Sequence, residues 1–277
     1  MTRRVFLLMG LAILAVILSH AAGWGQIAMF SWADRTRPVA VVPNYDLVGT
    51  LDDYILIVIR QLTSFAVPAF LFCSGFFVAF AARSNRGVFT WRMVRVRLTN
   101  LLIPYLIWSV LWYGLDTAQG HGYPPGKFLV NLVTGMTDGS GSYYFVPLVC
   151  QFYLLSPFIV QLARSRPRAL LAVAGVLQLV AFGFKYLEIF KVDAPILPLF
   201  SWIPTHWLIF LWALYFPLGV VCALHSERIR RTAERHYRAL LAVLVLSLLL
   251  AILEPELIYR LLKVEIRFVP LTIPPAL

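Results

Sequence analysis

The sequence has few charged residues and very few cysteines. Only 13% of its 277 residues are charged and 60% are hydrophobic, whereas a soluble globular domain has about 25% charged and about 45–50% apolar residues. The three cysteines, Cys73, Cys150 and Cys222, lie in apolar runs without a CxxC or Cys/His ligand spacing. They therefore predict neither a disulfide framework nor a metal site. The shortage of charge argues against an ordinary soluble domain and indicates an integral membrane protein.

Motifs for several soluble chemistries are also missing. The chain has no GxSxG nucleophile elbow, no phosphate-binding glycine-rich loop and no zinc motif, so it does not resemble the enzyme classes that those motifs mark. The net charge of +11 comes from basic residues in short loops between apolar runs, which is typical of membrane topology. We expect no nucleic-acid partner, no metal and no bound cofactor.

Apolar runs long enough to cross a bilayer, which takes roughly 20 residues, recur along the chain. The predicted spans cover residues 5–22, 54–82, 98–115, 143–162, 169–184, 199–224 and 239–253, with a C-terminal fragment of another. Helices satisfy their own backbone in lipid and open sheets do not. The predicted fold class is therefore all-α: a polytopic transmembrane helical bundle of about seven to eight spans, with exposed loops over residues 23–53 and 116–142.

Lys and Arg are distributed unevenly between the loops. Loops on the N-terminal side of the membrane carry about twice as many as those on the other side, and basic loops stay in the cytoplasm. The N-terminus is therefore predicted to be cytoplasmic.

His20 lies near the end of the first apolar run. Counted from Arg4, it is roughly 24 Å into the membrane at the rise of an α-helix. Three interpretations are open: Ser19–Ala21 could be the cleavage site of a leader peptide, the imidazole could reach the headgroups, or it could face the protein interior with a chemical role. An ionisable group inside a membrane segment favours the last.

Other polar side chains are predicted at similar depths. Counted from the arginine that ends each span, Ser74 lies roughly 13 Å, Gln151 roughly 20 Å and Ser64 roughly 28 Å from the cytoplasmic face. His20, Ser64 and Gln151 could therefore line one cavity, with Arg60 at its outer rim. A basic cluster marks the cytoplasmic mouth and could hold phosphates; it consists of Arg92, Arg95 and Arg97.

Plainer roles are open to the same residues. The arginines of the basic cluster could only anchor the topology, and Arg60 could form an ion pair with Asp52 or Asp53. Ser74 and Gly75 could provide close helix packing. Gln151 could form a hydrogen bond between helices.

Four blocks resemble the acyltransferase-3 family of integral membrane O-acyltransferases. LAILAVILSHAAGW resembles the family's opening helix with its histidine, here His20, and VPAFLFCSGFF resembles a segment of the form vPlFFfiSGf. WRMVRVRLTNLLIPYLIWS and YYFVPLVCQFYLLSPFI resemble two further blocks, in the family's order. The LYFPLGVVCA segment is similar to a fifth pattern more weakly.

The resemblance implies a function and roles for particular residues. The family transfers an acyl group, commonly acetyl, from acyl-CoA at the cytoplasmic side to a hydroxyl of a glycan or glycolipid. His20 would be the catalytic residue, and the basic cluster would bind the donor. We expect the passage between them to be shaped by Ser74, Tyr144 and Gln151, in a multi-pass protein of a bacterial-type inner membrane. The alternative is a non-enzymatic exporter or flippase of a polysaccharide or lipid-linked intermediate.

The chain departs from the family pattern at two places. The family often has a basic residue earlier in the first span, where this chain has Met9. The family also has more spans than this sequence offers. We therefore expect a single transmembrane acyltransferase-like domain over residues 1–277, shortened at its C-terminal end.

Overall fold

The structure, a computed structural model, is almost entirely helical where it describes the chain. It describes residues 2–28, 50–84, 88–120, 122–134, 144–189 and 209–262, and these contain no strand. The helices are α1 (Thr2–Ile27), α2 (Leu51–Thr63), α3 (Ala66–Ser84), α4 (Trp91–Ala118), α5 (Pro125–Thr134), α6 (Phe145–Ser165), α7 (Pro167–Ile189), α8 (Tyr215–Leu224), α9 (Ser226–Arg235) and α10 (Tyr237–Leu262), with a 3₁₀ turn at Ile209–Trp212. The predicted all-α class is confirmed.

Six helical segments of the described chain are long and apolar enough to cross a membrane. They are Arg3–Gln26, Leu51–Ser84, Trp91–Ala118, Phe145–Ser165, Pro167–Phe184 and Tyr237–Glu254. They correspond to the predicted spans except the sixth, 199–224, which lies partly outside the described residues and ends in the shorter α8. The total number of spans, the orientation and the single domain stay predictions.

Two local structures differ from the sequence prediction. The apolar run at 54–82 forms two helices, because α2 ends at Thr63 with Ser64 as its C-cap, and α3 begins at Ala66. Pro68 then falls in the first turn of α3, where the missing N–H costs little. The loop prediction for 116–142 is wrong at α5, whose carbonyl at Leu132 accepts a hydrogen bond from Tyr105 Oη at 2.6 Å.

The chain divides into two compact units. The first contains residues 1–70 and 227–275, and the second contains residues 71–226. In the first unit α1 packs against α2, and α10 lies beside α2. The packed face of α1 consists mainly of small side chains, which allow a close approach between helices: Ala12, Ala15 and Ala22 are buried there.

The second unit has a tighter core, built on the crossing of α3 and α8. A Cβ added to Gly75 would lie 2.1 Å from the carbonyl oxygen of Phe216, and one added to Gly219 would lie 2.0 Å from that of Phe72. Backbones in such direct contact leave room only for glycine on both sides. The Phe152 ring of α6 stacks on Phe216 with 5.1 Å between the ring centroids, so α6 is held against the same crossing.

Candidate active site

A groove of roughly 760 Å³ opens beside the N-terminal half of α4 in the second unit. Residues at positions 92, 96 and 100 and at 93 and 97 share one face of the helix because of its 3.6-residue period. The groove is lined by Ala81, Phe89, Thr90, Arg92, Met93, Val96, Arg97 and Asn100. The second predicted span thus contributes one wall through α3, and α4 contributes the floor.

The two arginines of the groove are held differently. Arg97 is half-buried, and its Nη2 donates a hydrogen bond to the Phe77 carbonyl oxygen at 3.0 Å. Its guanidinium also lies 5.7 Å from the ring centroids of both Phe89 and Tyr153, which is within the range of a cation–π contact. Arg92 is exposed at the groove. Arg97 therefore fastens the wall, while Arg92 can reach a ligand.

The start of α4 adds a second source of positive potential. Thr90 is the N-cap in an extended conformation, but its side chain makes no capping hydrogen bond. The first N–H groups of a helix have no intrahelical acceptor and carry the positive end of the helix dipole, so they attract anions. An exposed guanidinium beside an uncapped helix start suits a phosphate group.

The groove leaves out one arginine of the predicted basic cluster and includes one polar residue that the sequence analysis did not single out. Arg95 is exposed but is not part of the groove lining, whereas Asn100 is. Asn100 lies two turns beyond Arg92 on the same helix face, and this i, i+8 spacing was the signal in the sequence that could have found it. The groove therefore joins two of the three predicted arginines and adds one amide.

His20 lies on the open side of α1 in the first unit. Its side chain is exposed, and α1 continues for seven more residues to Ile27, about 10 Å at the helical rise. The buried positions of α1 form a stripe that does not include it: Val5, Ala12, Ala15, Ala22 and Gln26. The imidazole is thus well inside the helix and is not used in its packing.

Arg60 of α2 contacts α1 through a residue that the sequence did not single out. Its Nη1 donates a hydrogen bond to Gln26 Oε1, so its partner among the described residues is an amide rather than Asp52 or Asp53. Gln26 is only 1% exposed. Two other donors of the pair, Arg60 Nε and Gln26 Nε2, are buried and have no acceptor among the residues that the structure describes. Buried donors without an acceptor are costly, so this pair is suited to an oxygen of a ligand.

The remaining predicted residues occupy varied positions. Ser64, in the first unit, donates its hydroxyl to the Gln61 carbonyl oxygen at 2.7 Å. Ser74 and Tyr144, in the second unit, are half-buried, at α3 and just before α6 respectively. Gln151, also half-buried, has its Nε2 3.5 Å from the Pro147 carbonyl oxygen.

The predicted site residues divide between the two units. His20, Arg60 and Ser64 belong to the first, and Ser74, Arg92, Arg95, Arg97, Tyr144 and Gln151 belong to the second. Within the first unit, Gln26 and Arg60 are in contact; within the second, Arg92 and Arg97 share a groove. In the described ranges, no group of three or more His, Cys, Asp or Glu side chains could hold a metal ion.

The model of the acyltransferase-3 family, described as an acyltransferase domain, matches residues 7–265. The chain belongs to this family. No curated protein and no solved structure matches this chain. The family and the apolar helices together make it an acyltransferase and an integral membrane protein, as the sequence predicted.

The side chains of this acyltransferase offer the groups that acyl transfer needs. Transfer requires a site for the activated donor, a base for the attacking group and an environment that keeps water from competing. The groove offers cationic and amide donors, α1 offers an imidazole, and the Gln26–Arg60 pair offers unused hydrogen-bond donors.

Proposed function

We propose that this acyltransferase moves an acyl group, in the simplest case acetyl, from acyl-CoA to a hydroxyl of a glycan or glycolipid at a bacterial-type inner membrane. The observation that carries the proposal is the groove at the start of α4. Arg92 is exposed in it, Asn100 lines it, and the helix start beside it is uncapped. Coenzyme A carries several phosphates, and guanidinium groups and helix starts are both suited to bind them.

Arg97 contributes to the donor site mainly through position. Its hydrogen bond to Phe77 and its contacts with Phe89 and Tyr153 fix the wall against which the donor would lie. Arg95 is outside the lining, so its contribution is the general positive potential of this end of α4. A long-range contribution of that kind is weaker than a direct contact and falls with salt.

His20 is the residue we propose as the general base. Its neutral imidazole takes the proton from the acceptor hydroxyl while the hydroxyl oxygen attacks the thioester carbonyl carbon. The tetrahedral adduct collapses, the carbon–sulfur bond breaks, and the leaving thiolate takes up the proton to give free CoA. The new ester stays on the acceptor. The exposed position of His20 supports this role because its ring is not occupied in packing.

The acceptor is proposed to meet polar groups of the first unit. Arg60 and Gln26 hold two buried donors that have no acceptor in the described part of the chain, which suits a hydroxyl, carboxylate or phosphate oxygen of a glycan or glycolipid. Ser64 is proposed as a further residue of the acceptor site in the first unit. Ser74, Tyr144 and Gln151 are proposed to shape the path of the acyl group in the second unit. Ser64 already uses its hydroxyl on Gln61, so its part is to fix the end of α2.

The experiment is acyl-CoA turnover by the purified full-length protein in nanodiscs, with extracted membrane glycolipid as acceptor. Release of free CoA and transfer of labelled acetyl to the lipid fraction are followed together. Wild type should show both, in equal amounts. His20→Ala should lose both by about 100- to 10,000-fold, the usual contribution of a general base.

His236 provides a matched control because its side chain is exposed at the end of α9 and makes no described side-chain hydrogen bond. His236→Ala should keep full activity. Full turnover by a folded His20→Ala would contradict the catalytic role. An absence of turnover by wild type with every acyl-CoA and lipid extract, although donor binding is measured, would contradict the proposed reaction and favour an exporter.

A further inference from the structure

Three arginines of α9 form a stripe along one side of the helix. Arg228, Arg231 and Arg235 are spaced by three and four residues, so they lie on one face. All three are exposed, and α9 has no buried residue. We call these residues the arginine stripe; it is about 10 Å long at the helical rise.

The acids of α9 do not neutralise the arginine stripe. Glu227 lies 3.1 Å from Arg230 Nη2 and Glu234 lies 3.4 Å from Arg230 Nη1. Both carboxylates of the helix are therefore engaged with an arginine on another side. No ion pair is described for the arginine stripe, which leaves three uncompensated charges on one face.

The other side of α9 is the less exposed one. Ile229 and Ala233, one turn apart, are half-buried, and at about 100° per residue they lie on the side opposite the arginine stripe. The arginines therefore point away from the half-buried side. This contrasts with Arg83 and Arg97, whose guanidiniums donate to the carbonyl oxygens of Leu224 and Phe77.

The position of α9 in the chain places the arginine stripe beside the membrane surface. The membrane segment Tyr237–Glu254 begins two residues after α9 ends, and an arginine so close to a span reaches the headgroup region with its long side chain. Membrane topology requires only that a loop carries enough positive charge. In the arginine stripe the three charges are also aligned on one helix face, and no carboxylate is described that neutralises them. Anionic headgroups attract such clusters next to a span, and guanidinium groups bind their phosphates with two parallel hydrogen bonds.

We propose that the arginine stripe is a binding surface for anionic phospholipid headgroups. Each arginine contacts a headgroup phosphate, and together they hold α9 against the membrane surface at the start of α10. The proposal depends on the membrane location and the described geometry of α9, and it does not depend on the donor or acceptor assigned above.

Native mass spectrometry of the full-length protein in detergent tests this with two probes, phosphatidylglycerol and phosphatidylcholine of the same chain length. Wild type should bind phosphatidylglycerol more tightly. The triple variant Arg228→Ser, Arg231→Ser, Arg235→Ser should lose about 100-fold in apparent affinity, or about five-fold for each arginine. The Lys triple variant at the same positions should keep most of the binding, because it keeps the charge.

The link between α6 and α7 offers a charge-matched control. Arg164, Arg166 and Arg168 are exposed, but they lie in the last turn of α6, at its C-cap and in α7. Replacing these three by Ser removes the same charge without touching the arginine stripe, and we expect a smaller loss because these arginines are not aligned on one helix face. An equal loss in both triple variants would overturn the proposal in favour of net charge alone.

Two further measurements keep the proposal testable if the triple Ser variant does not fold. The single variant Arg231→Ser should lose about five-fold, and raising the salt should weaken wild-type binding of phosphatidylglycerol. Equal wild-type affinity for both lipids would overturn the proposal. Stoichiometric displacement of phosphatidylglycerol by free coenzyme A would also overturn it, because the arginine stripe would then be a site for the soluble anion.

Discussion

Two helices of this protein use small residues in different ways. On α1, the buried side chains of Ala12, Ala15 and Ala22 form the packed face, and His20 lies on an exposed side of the helix. On α3, Gly75 brings the backbone into direct contact with α8. The same α3 carries the Phe77 carbonyl that holds Arg97 and the Ala81 side chain that lines the groove. The comparison gives the proposed donor site a rigid wall and the proposed catalytic base an accessible helix.

The largest expected effect comes from disrupting the close backbone contact between α3 and α8. Gly75→Ala would put a methyl group 2.1 Å from the Phe216 carbonyl oxygen, and backbone cannot move aside as a side chain can. We expect a loss of more than about 3 kcal/mol, at the upper end of overpacking effects. Thermal unfolding in detergent, followed by size-exclusion chromatography, measures it.

Gly175 of α7 is the control for this substitution, since an added Cβ there meets no atom within 4 Å. Gly175→Ala should be neutral or stabilising by up to about 1 kcal/mol, because alanine favours a helix. Equal unfolding temperatures for the two variants would show that the α3–α8 contact is looser than the structure has it.

The next largest effect distinguishes Arg92, which lines the proposed donor groove, from Arg95, which does not. Arg92→Ala removes an exposed guanidinium from the lining and should raise KM for acyl-CoA by about 10- to 100-fold, as expected for a hydrogen bond to a charged group. Arg95→Ala removes the same charge outside the lining and should raise KM less than about five-fold. Steady-state kinetics at two salt concentrations measure both. Equal effects would contradict the groove as the donor site.

The smallest effect concerns the contact between α1 and α2. Gln26→Leu removes the acceptor of the Arg60 hydrogen bond, and a half-buried guanidinium that loses its acceptor should cost about 1–3 kcal/mol of stability. Gln161→Leu, at an exposed position of α6, is the control and should change stability by less than about 0.5 kcal/mol. Chemical or thermal unfolding of both variants in the same detergent is the measurement. An unchanged Gln26→Leu variant would mean that Arg60 finds another acceptor.

The sequence alone predicted what depends on local composition. The apolar runs predicted the positions of the six described helical segments that are long and apolar enough to cross a membrane, and the shortage of charge indicated the class of protein. His20 and Arg92 stood out because ionisable groups are rare in or beside such runs. The family resemblance gave the enzyme class, which the family match confirms.

Features that depend on contacts between distant parts of the chain were not predictable in this way. Close helix packing at Gly75 was one interpretation of the sequence, but its partner Gly219 and the crossing with α8 depend on the tertiary structure. An ion pair of Arg60 with a nearby aspartate was one open interpretation, but its described partner is Gln26 on another helix. The break before Ala66 and the helix α5 depend on caps and on a tertiary hydrogen bond, which hydropathy does not report.

The central claim is that the groove beside α4 binds acyl-CoA and that His20 acts as the general base in acyl transfer. The most direct measurement is binding of labelled acetyl-CoA and its turnover on the same preparations of wild type, His20→Ala and Arg92→Ala. The account predicts that His20→Ala binds the donor as wild type does but turns it over about 100- to 10,000-fold more slowly. Arg92→Ala should bind about 10- to 100-fold more weakly and recover its turnover at saturating donor. The opposite pattern, with lost binding in His20→Ala and normal binding in Arg92→Ala, would contradict the account.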